Sequence, residues 1–160
     1  MKDMLTLCVN LPLVEFAPGE QVVQEGAAAG GIWVLVSGAL RVLKGDVLVN
    51  HITQPGALIG EISVLLGTCY GATVEATEPC VLRHAANGHA LLTSDPEIIT
   101  LVAIGLAERL NVATTYLADL KHQYADAPGL SMVADVLSQL GQRQVPVVRP
   151  GSAREPNPNY

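Results

Sequence analysis

Hydrophobic positions change their period near Ala90, and the change divides the chain into two kinds of structure. Before it, short β-rich runs at 13–16, 21–24, 32–36, 39–43, 47–53, 73–76 and 79–84 are separated by Pro18-Gly19, Ser37-Gly38, Gly45-Asp46 and Glu78-Pro79. Two runs meeting at a Ser-Gly or Gly-Asp pair predict hairpins. Many such strands punctuated by Gly and Pro predict a closed or double-sheet β structure. After Ala90, Leu91, Leu92, Ile98, Ile99, Val102, Leu106, Leu110, Ala113, Leu117 and Leu120 recur at steps of three and four, which predicts helix. Ser94 or Asp95 can cap it, Pro96 suits its first turn and Glu97 its positive end.

Nothing interrupts that pattern before Pro128-Gly129. A helix of about 28 residues is ~42 Å long at 1.5 Å per residue, longer than one small barrel can cover, so its overhang needs a second surface. A short helix is predicted at 129–140, with Gly141 as its stop. Residues 4–9 predict a remnant helix at the other end. The Pro-, Gly- and Asn-rich stretch 143–160 predicts a disordered tail.

The stretch 55–74, PGALIGEISVLLGTCYGATV, asks for something different. Pro55-Gly56 is a turn, and Ile59, Ile62, Val64, Leu65 and Leu66 form an apolar run fit for a short helix between two strands. A glycine leading into a helical turn gathers unpaired backbone N–H groups, which suit an anionic oxygen ligand. The carboxylate of Glu61 beside them suits a hydroxyl instead, such as that of a ribose.

That spacing resembles the phosphate-binding cassette of the cyclic nucleotide-binding domain family, the jelly-roll sensor of catabolite-activator and FNR-like regulators, kinase regulatory subunits and gated channels. The family form is roughly G-E-[LI]-[AS]-L-x-x-x-x-P-R-[AST]-A-T-V. Gly60, Glu61, Ile62, Ser63, Ala72, Thr73 and Val74 match it without a gap. The strings Phe16-Ala-Pro-Gly-Glu20 and Trp33-Val-Leu-Val-Ser-Gly38 are similar to the family's first turn and central hairpin. The resemblance implies a mainly β jelly-roll, or β-roll, followed by a long helix that lids the ligand and pairs with a second copy.

It also implies roles. The glutamate takes the ribose 2′-hydroxyl, the following backbone takes phosphate oxygens, and an arginine pairs with the phosphate charge. The implied ligand residues are Ile59, Gly60, Glu61, Ile62, Ser63, Tyr70, Gly71, Ala72 and Thr73, for cAMP or cGMP. Here Cys69 stands at the proline position and Tyr70 at the arginine position. Losing a hydrogen bond to a charged group costs ~1.5–3 kcal/mol, roughly tenfold to more than a hundredfold in affinity. Tyr70 retains one phenolic O–H to offer a phosphate oxygen.

Composition narrows the remaining classes. With 160 residues at 49% hydrophobic, the chain is long enough for one proper core, and with 4% aromatics that core must be aliphatic. A net charge of −6 with scattered Lys and Arg argues against a nucleic-acid surface, and no helix-turn-helix follows the long helix. No 18-residue uninterrupted apolar run or leader pattern is seen, so a cytoplasmic chain off the membrane is expected.

Cys8, Cys69 and Cys80 lack C-x-x-C spacing and read as inert thiols, Cys69 being the one in a loop. His51, His84, His89 and His122 are too dispersed for a ligand pair, although a single histidine leaves a haem or metal sensor open. No catalytic motif is present, so an enzyme is not expected. The expected organisation is a β-roll with its long helix (about 95–125) at 1–127, a short helix at 128–142 and a tail at 143–160. Two further readings stay open: a nucleotide sensor with an unidentified protein partner, or a degenerate cassette that only dimerises or docks proteins.

Overall fold

A computed structural model of the chain describes residues 1–124 and 131–142. The expected break at Pro128-Gly129 and the expected tail at 143–160 lie outside the described residues. The chain divides into two compact units, Met1–Val102 and a second beginning at Ala103.

The first unit opens with α1 (Met4–Leu7), where Asp3 caps the helix by accepting from the Thr6 amide at 2.7 Å. Eight strands follow: β1 (Leu13–Phe16), β2 (Gln21–Val23), β3 (Ile32–Ser37), β4 (Leu40–Lys44), β5 (Val47–Ile52), β6 (Leu58–Ile59), β7 (Thr73–Ala76) and β8 (Cys80–Ala85). They form two four-stranded antiparallel sheets, ordered β1-β8-β3-β6 and β2-β7-β4-β5. The expected double-sheet roll is therefore present. The one strand the sequence reading did not name is β6, whose Leu58 and Ile59 pair with Val34 and Trp33. Two residues give no period to read.

Turn chemistry closes the roll where the sequence placed it. Gly38, between β3 and β4, has φ +100°, and a Cβ there would stand 2.6 Å from the Cys80 sulfur and 2.7 Å from the Pro79 carbonyl. Only glycine lets the β3–β4 corner pass this close to the β7–β8 corner. Between the sheets lies an aliphatic core of Val22, Val23, Leu35, Leu40, Ile59, Val74, Ala76, Cys80 and Leu82, with Phe16, Trp33 and Tyr70 packed against it. Alternation along β3 sends Ile32 and Val34 the other way, yet both are fully buried. They are covered because α1 packs on β3, and because the first turn of α3 (Gly88–Ser94) touches Ile32 and Val64 around Gly88.

The helices match the expected change of period. α2 (Glu61–Leu66) is the short helix of the cassette stretch, and it packs on α3. α4 (Pro96–Gln123) begins after Asp95, whose carboxylate accepts from the Glu97 amide at 2.8 Å. Within the first unit its Ile98 and Val102 are buried. In the second unit Leu110, Val112 and Tyr116 of the same helix are exposed. By length and composition alone α4 is also apolar enough to cross a membrane, although its apolar residues are interrupted by polar ones. α5 (Ser131–Gln142) continues through Gly141, which therefore does not stop it.

Leu35 has no exposed surface at the centre of the core. Leu35→Ala should lower unfolding stability by about 2–5 kcal/mol, since the cavity adds to the lost transfer energy. Urea unfolding measures it, and a loss below about 1 kcal/mol would contradict this core assignment.

Candidate functional site

The cassette is built around one backbone conformation. β6 ends at Ile59, and Gly60 takes φ +93° and ψ −6° before α2 begins, so the chain turns sharply between strand and helix. A Cβ at Gly60 would lie 2.8 Å from the Gly31 carbonyl oxygen and 3.0 Å from the Tyr70 ring. Both the positive φ and the close approach demand glycine. The turn sets Glu61 at the head of α2, 3% exposed, with Ser63 (7%) on the same buried side, whereas Ile62, Leu65 and Leu66 face outward. A carboxylate suits the first turn of a helix, where the unpaired N–H groups lie. Glu61 is engaged with the protein in its buried position.

The strand side of the cassette is pinned to the loop after β2. The Tyr70 amide donates to the Ala27 carbonyl at 3.0 Å, and the Gly26 amide donates to the Tyr70 carbonyl at 2.9 Å. The Glu25 amide donates to the Thr73 hydroxyl at 2.9 Å. Tyr70 itself points inward: its hydroxyl donates to the Gly31 carbonyl at 3.0 Å, and its ring rests against Gly60 and the core. The phenolic proton that the sequence reading reserved for a phosphate oxygen is thus given to Gly31. Of the sequence-predicted residues, the structure brings Gly60 and Tyr70 together, with Ile59 and Glu61 flanking Gly60. Ile62 is turned to solvent, and Gly71 to Thr73 lie toward the Glu25 side.

Two features were not found from sequence. The first is a stack inside the roll, where Trp33 and His84 lie ring on ring at 3.8 Å and 15°, and Phe16 meets Trp33 edge-on at 5.4 Å. His84 reaches Gly31, the residue that also receives Tyr70. Burial holds the His84 pKa below its ordinary 6.5, because the imidazolium loses its water. The β3–β8 register that sets Trp33 opposite His84 was the missing information.

The second feature is an ion pair beside Gly71. Lys44 Nζ stands 2.9 Å from Glu25 Oε1 and donates to the Gly71 carbonyl at 2.5 Å, while the other Glu25 oxygen accepts from the Gly45 amide at 2.7 Å. These bonds hold the Glu25 carboxyl below the usual range, the Gly45 amide first and Lys44 second.

Other candidate chemistry is not assembled. Glu75 pairs with Arg41 on the outside of β4 and β7, so it does not join Glu61 as a second catalytic carboxylate. Cys8 and Cys80 are buried and their thiols are pushed up in pKa by that burial, as inert thiols should be. Among the described residues, no three His, Cys, Asp or Glu side chains gather as metal ligands. Two clefts, of about 440 Å³ beside Pro12, His84 and Asn87 and about 360 Å³ beside Leu65, Leu92 and Ile99, are lined by neither Gly60 nor Tyr70.

The architecture is a β-roll with a strand–glycine–helix turn and a buried glutamate, and comparison with known proteins specifies its family. Residues 13–91 match the profile of the cyclic nucleotide-binding domain, and this part of the chain belongs to that family. A cAMP-dependent protein kinase regulatory subunit from Yarrowia lipolytica is 36% identical over 64 residues, 40% of this chain and only 17% of that relative's length.

Solved structures share the fold. One described as Sp-2Cl-cAMPS bound to PKAR CBD2 aligns at TM-score 0.57 with 17% identity, over 72% of this chain and 75% of its own. One described under a cyclic-GMP-dependent signalling pathway in bacterial phytopathogenesis aligns at 0.57 with 20% identity, over 69% and 95%. The regulatory subunit of a cAMP-independent protein kinase A from Trypanosoma brucei aligns at 0.55 with 19% identity, over 64% and 40%.

The His84 environment has a measurable consequence. Above pH 6.5 the imidazole is neutral in folded and unfolded chains alike, and the full contribution to stability is present. As the pH falls below 6.5 the unfolded chain takes up the proton first, so stability should drop until the lower folded-state pKa is passed. The urea midpoint of the wild type should therefore decline in that window, and His84→Gln should flatten the decline. Equal slopes in the two proteins would contradict the buried neutral imidazole.

Proposed function

We propose that this chain is a regulatory sensor domain for a cyclic nucleotide, cAMP or cGMP, binding rather than catalysing. The observation that carries the reading is Glu61, buried at the head of α2 behind the left-handed Gly60, in a chain whose 13–91 segment is a family member. In that position the carboxylate is set to accept from a ribose hydroxyl, the amides after Gly60 and those of Gly71 to Thr73 would hold phosphate oxygens, and Ile59, Ile62 and Ser63 would frame them. The site works without the family's arginine and is correspondingly weak. The signal leaves through α4, and the sensor acts on a separate protein partner in the cytoplasm, without DNA binding or a membrane of its own.

A second reading is supported by Tyr70. Its ring against Gly60 and its hydroxyl on Gly31 fill part of the space beside the cassette with the protein's own side chain. On this reading the roll is an interaction module and the cassette loop only a strut.

Calorimetric titration with cAMP and cGMP separates the two. The sensor gives saturable binding that Glu61→Ala weakens, and Tyr70→Arg tightens it by at least about tenfold as the charge-assisted phosphate contact returns. No binding by any of the three proteins favours the interaction module.

The exposed Val112 and Tyr116 of α4, one turn apart on the same face, support pairing with a second copy. Sedimentation should then give a dimer at high concentration, and a species of only 16.8 kDa there would rule it out.

A further inference from the structure

Three basic residues fall within the family segment 13–91: Arg41, Lys44 and Arg83. Arg41 is committed to Glu75. Arg83 donates to the Leu11 carbonyl at 2.7 Å, on the β1 side of the roll. Only Lys44 touches the cassette, through the carbonyl of Gly71, next in the chain to the position where the family carries its arginine. It arrives from the end of β4, because β4 pairs with β7 and brings Leu43 opposite Thr73.

The ammonium has three donors. One goes to Gly71 and one to Glu25, which leaves a third for an acceptor beyond the rim. Glu25 is itself fixed by the Gly45 amide, so it acts as a bracket that keeps the lysine over Gly71. The side chain of Lys44 is 61% exposed, free to shift by a bond rotation without opening the core. Because Glu25 is a competing anion, the charge that reaches a ligand from this pair is reduced.

We propose that Lys44 is the phosphate-binding cation of this site, entering from the β4–β5 hairpin in place of the arginine that Tyr70 displaced. The inference rests on the nucleotide-binding reading above and adds to it a residue outside the cassette.

The test is calorimetric titration of the full chain with cAMP and with cGMP at low and high salt, for the wild type, Lys44→Met, Lys44→Arg and Glu25→Gln. Lys44→Met should weaken binding about fivefold or more at low salt and flatten its salt dependence, whereas Lys44→Arg should retain both. Glu25→Gln should tighten binding, since it removes the competing anion and leaves a polar side chain in the bracket. A merely structural strut does not produce that gain, so equal losses in Lys44→Met and Glu25→Gln overturn the assignment. Wild-type binding that Lys44→Met leaves unchanged removes the lysine and spares the nucleotide reading. A wild type that takes up neither cAMP nor cGMP removes both.

Discussion

The close approach of the Gly31 backbone and the Tyr70 ring to Gly60 governs the rest of the site. A strand must end, a helix must begin, and the Gly31 loop and Tyr70 must both lie within van der Waals reach of the same α-carbon. A side chain at position 60 would push against the Gly31 carbonyl, which is backbone and cannot rotate away. Because Gly60 yields that space, α2 starts inside the roll rather than outside it, and Glu61 is buried instead of solvated. The chemistry of the cassette is thus a consequence of sheet geometry: Gly31 leads into β3, Ile59 closes β6, and β3 pairs with β6.

Much of this was legible before any coordinates. Hairpin turns announce themselves through Gly and Pro, whose φ values are set by their own chemistry, and the switch to a helical period is a long-range signal over many residues. The Gly60-Glu61 pair could be found because its residue types and spacing are fixed by what the turn requires. β6 could not, since a two-residue strand has no pattern and exists only because β3 lies beside it. The same limit hid Lys44 and the Trp33–His84 stack. Each is a contact between residues far apart in sequence, decided by the β3–β8 and β4–β7 registers, which no local pattern encodes.

The long helix shows how one pattern can carry different messages. Its apolar stripe predicts a covering for the roll plus an overhang, and Ile98 and Val102 are buried as that covering should be. Beyond Val102 the stripe lies in a separate unit. The periodicity alone gives the helix, and says nothing of what its second half meets.

Tyr70 decides how strongly any ligand could be held. Its hydrogen bond to Gly31 is worth about 0.5–1.5 kcal/mol net, and its partly buried ring contributes at most the ~1.5–3 kcal/mol of a fully buried side chain. A ligand that had to expel the ring would lose at most about 4.5 kcal/mol, up to roughly a thousandfold in affinity, in addition to the interaction lost with the arginine. A nucleotide that left the ring in place would avoid that loss, and on the proposed reading its counter-charge comes from Lys44, outside the cassette loop. On the proposed reading, the cation missing from position 70 is supplied by the neighbouring strand β4, whose Lys44 reaches the Gly71 carbonyl.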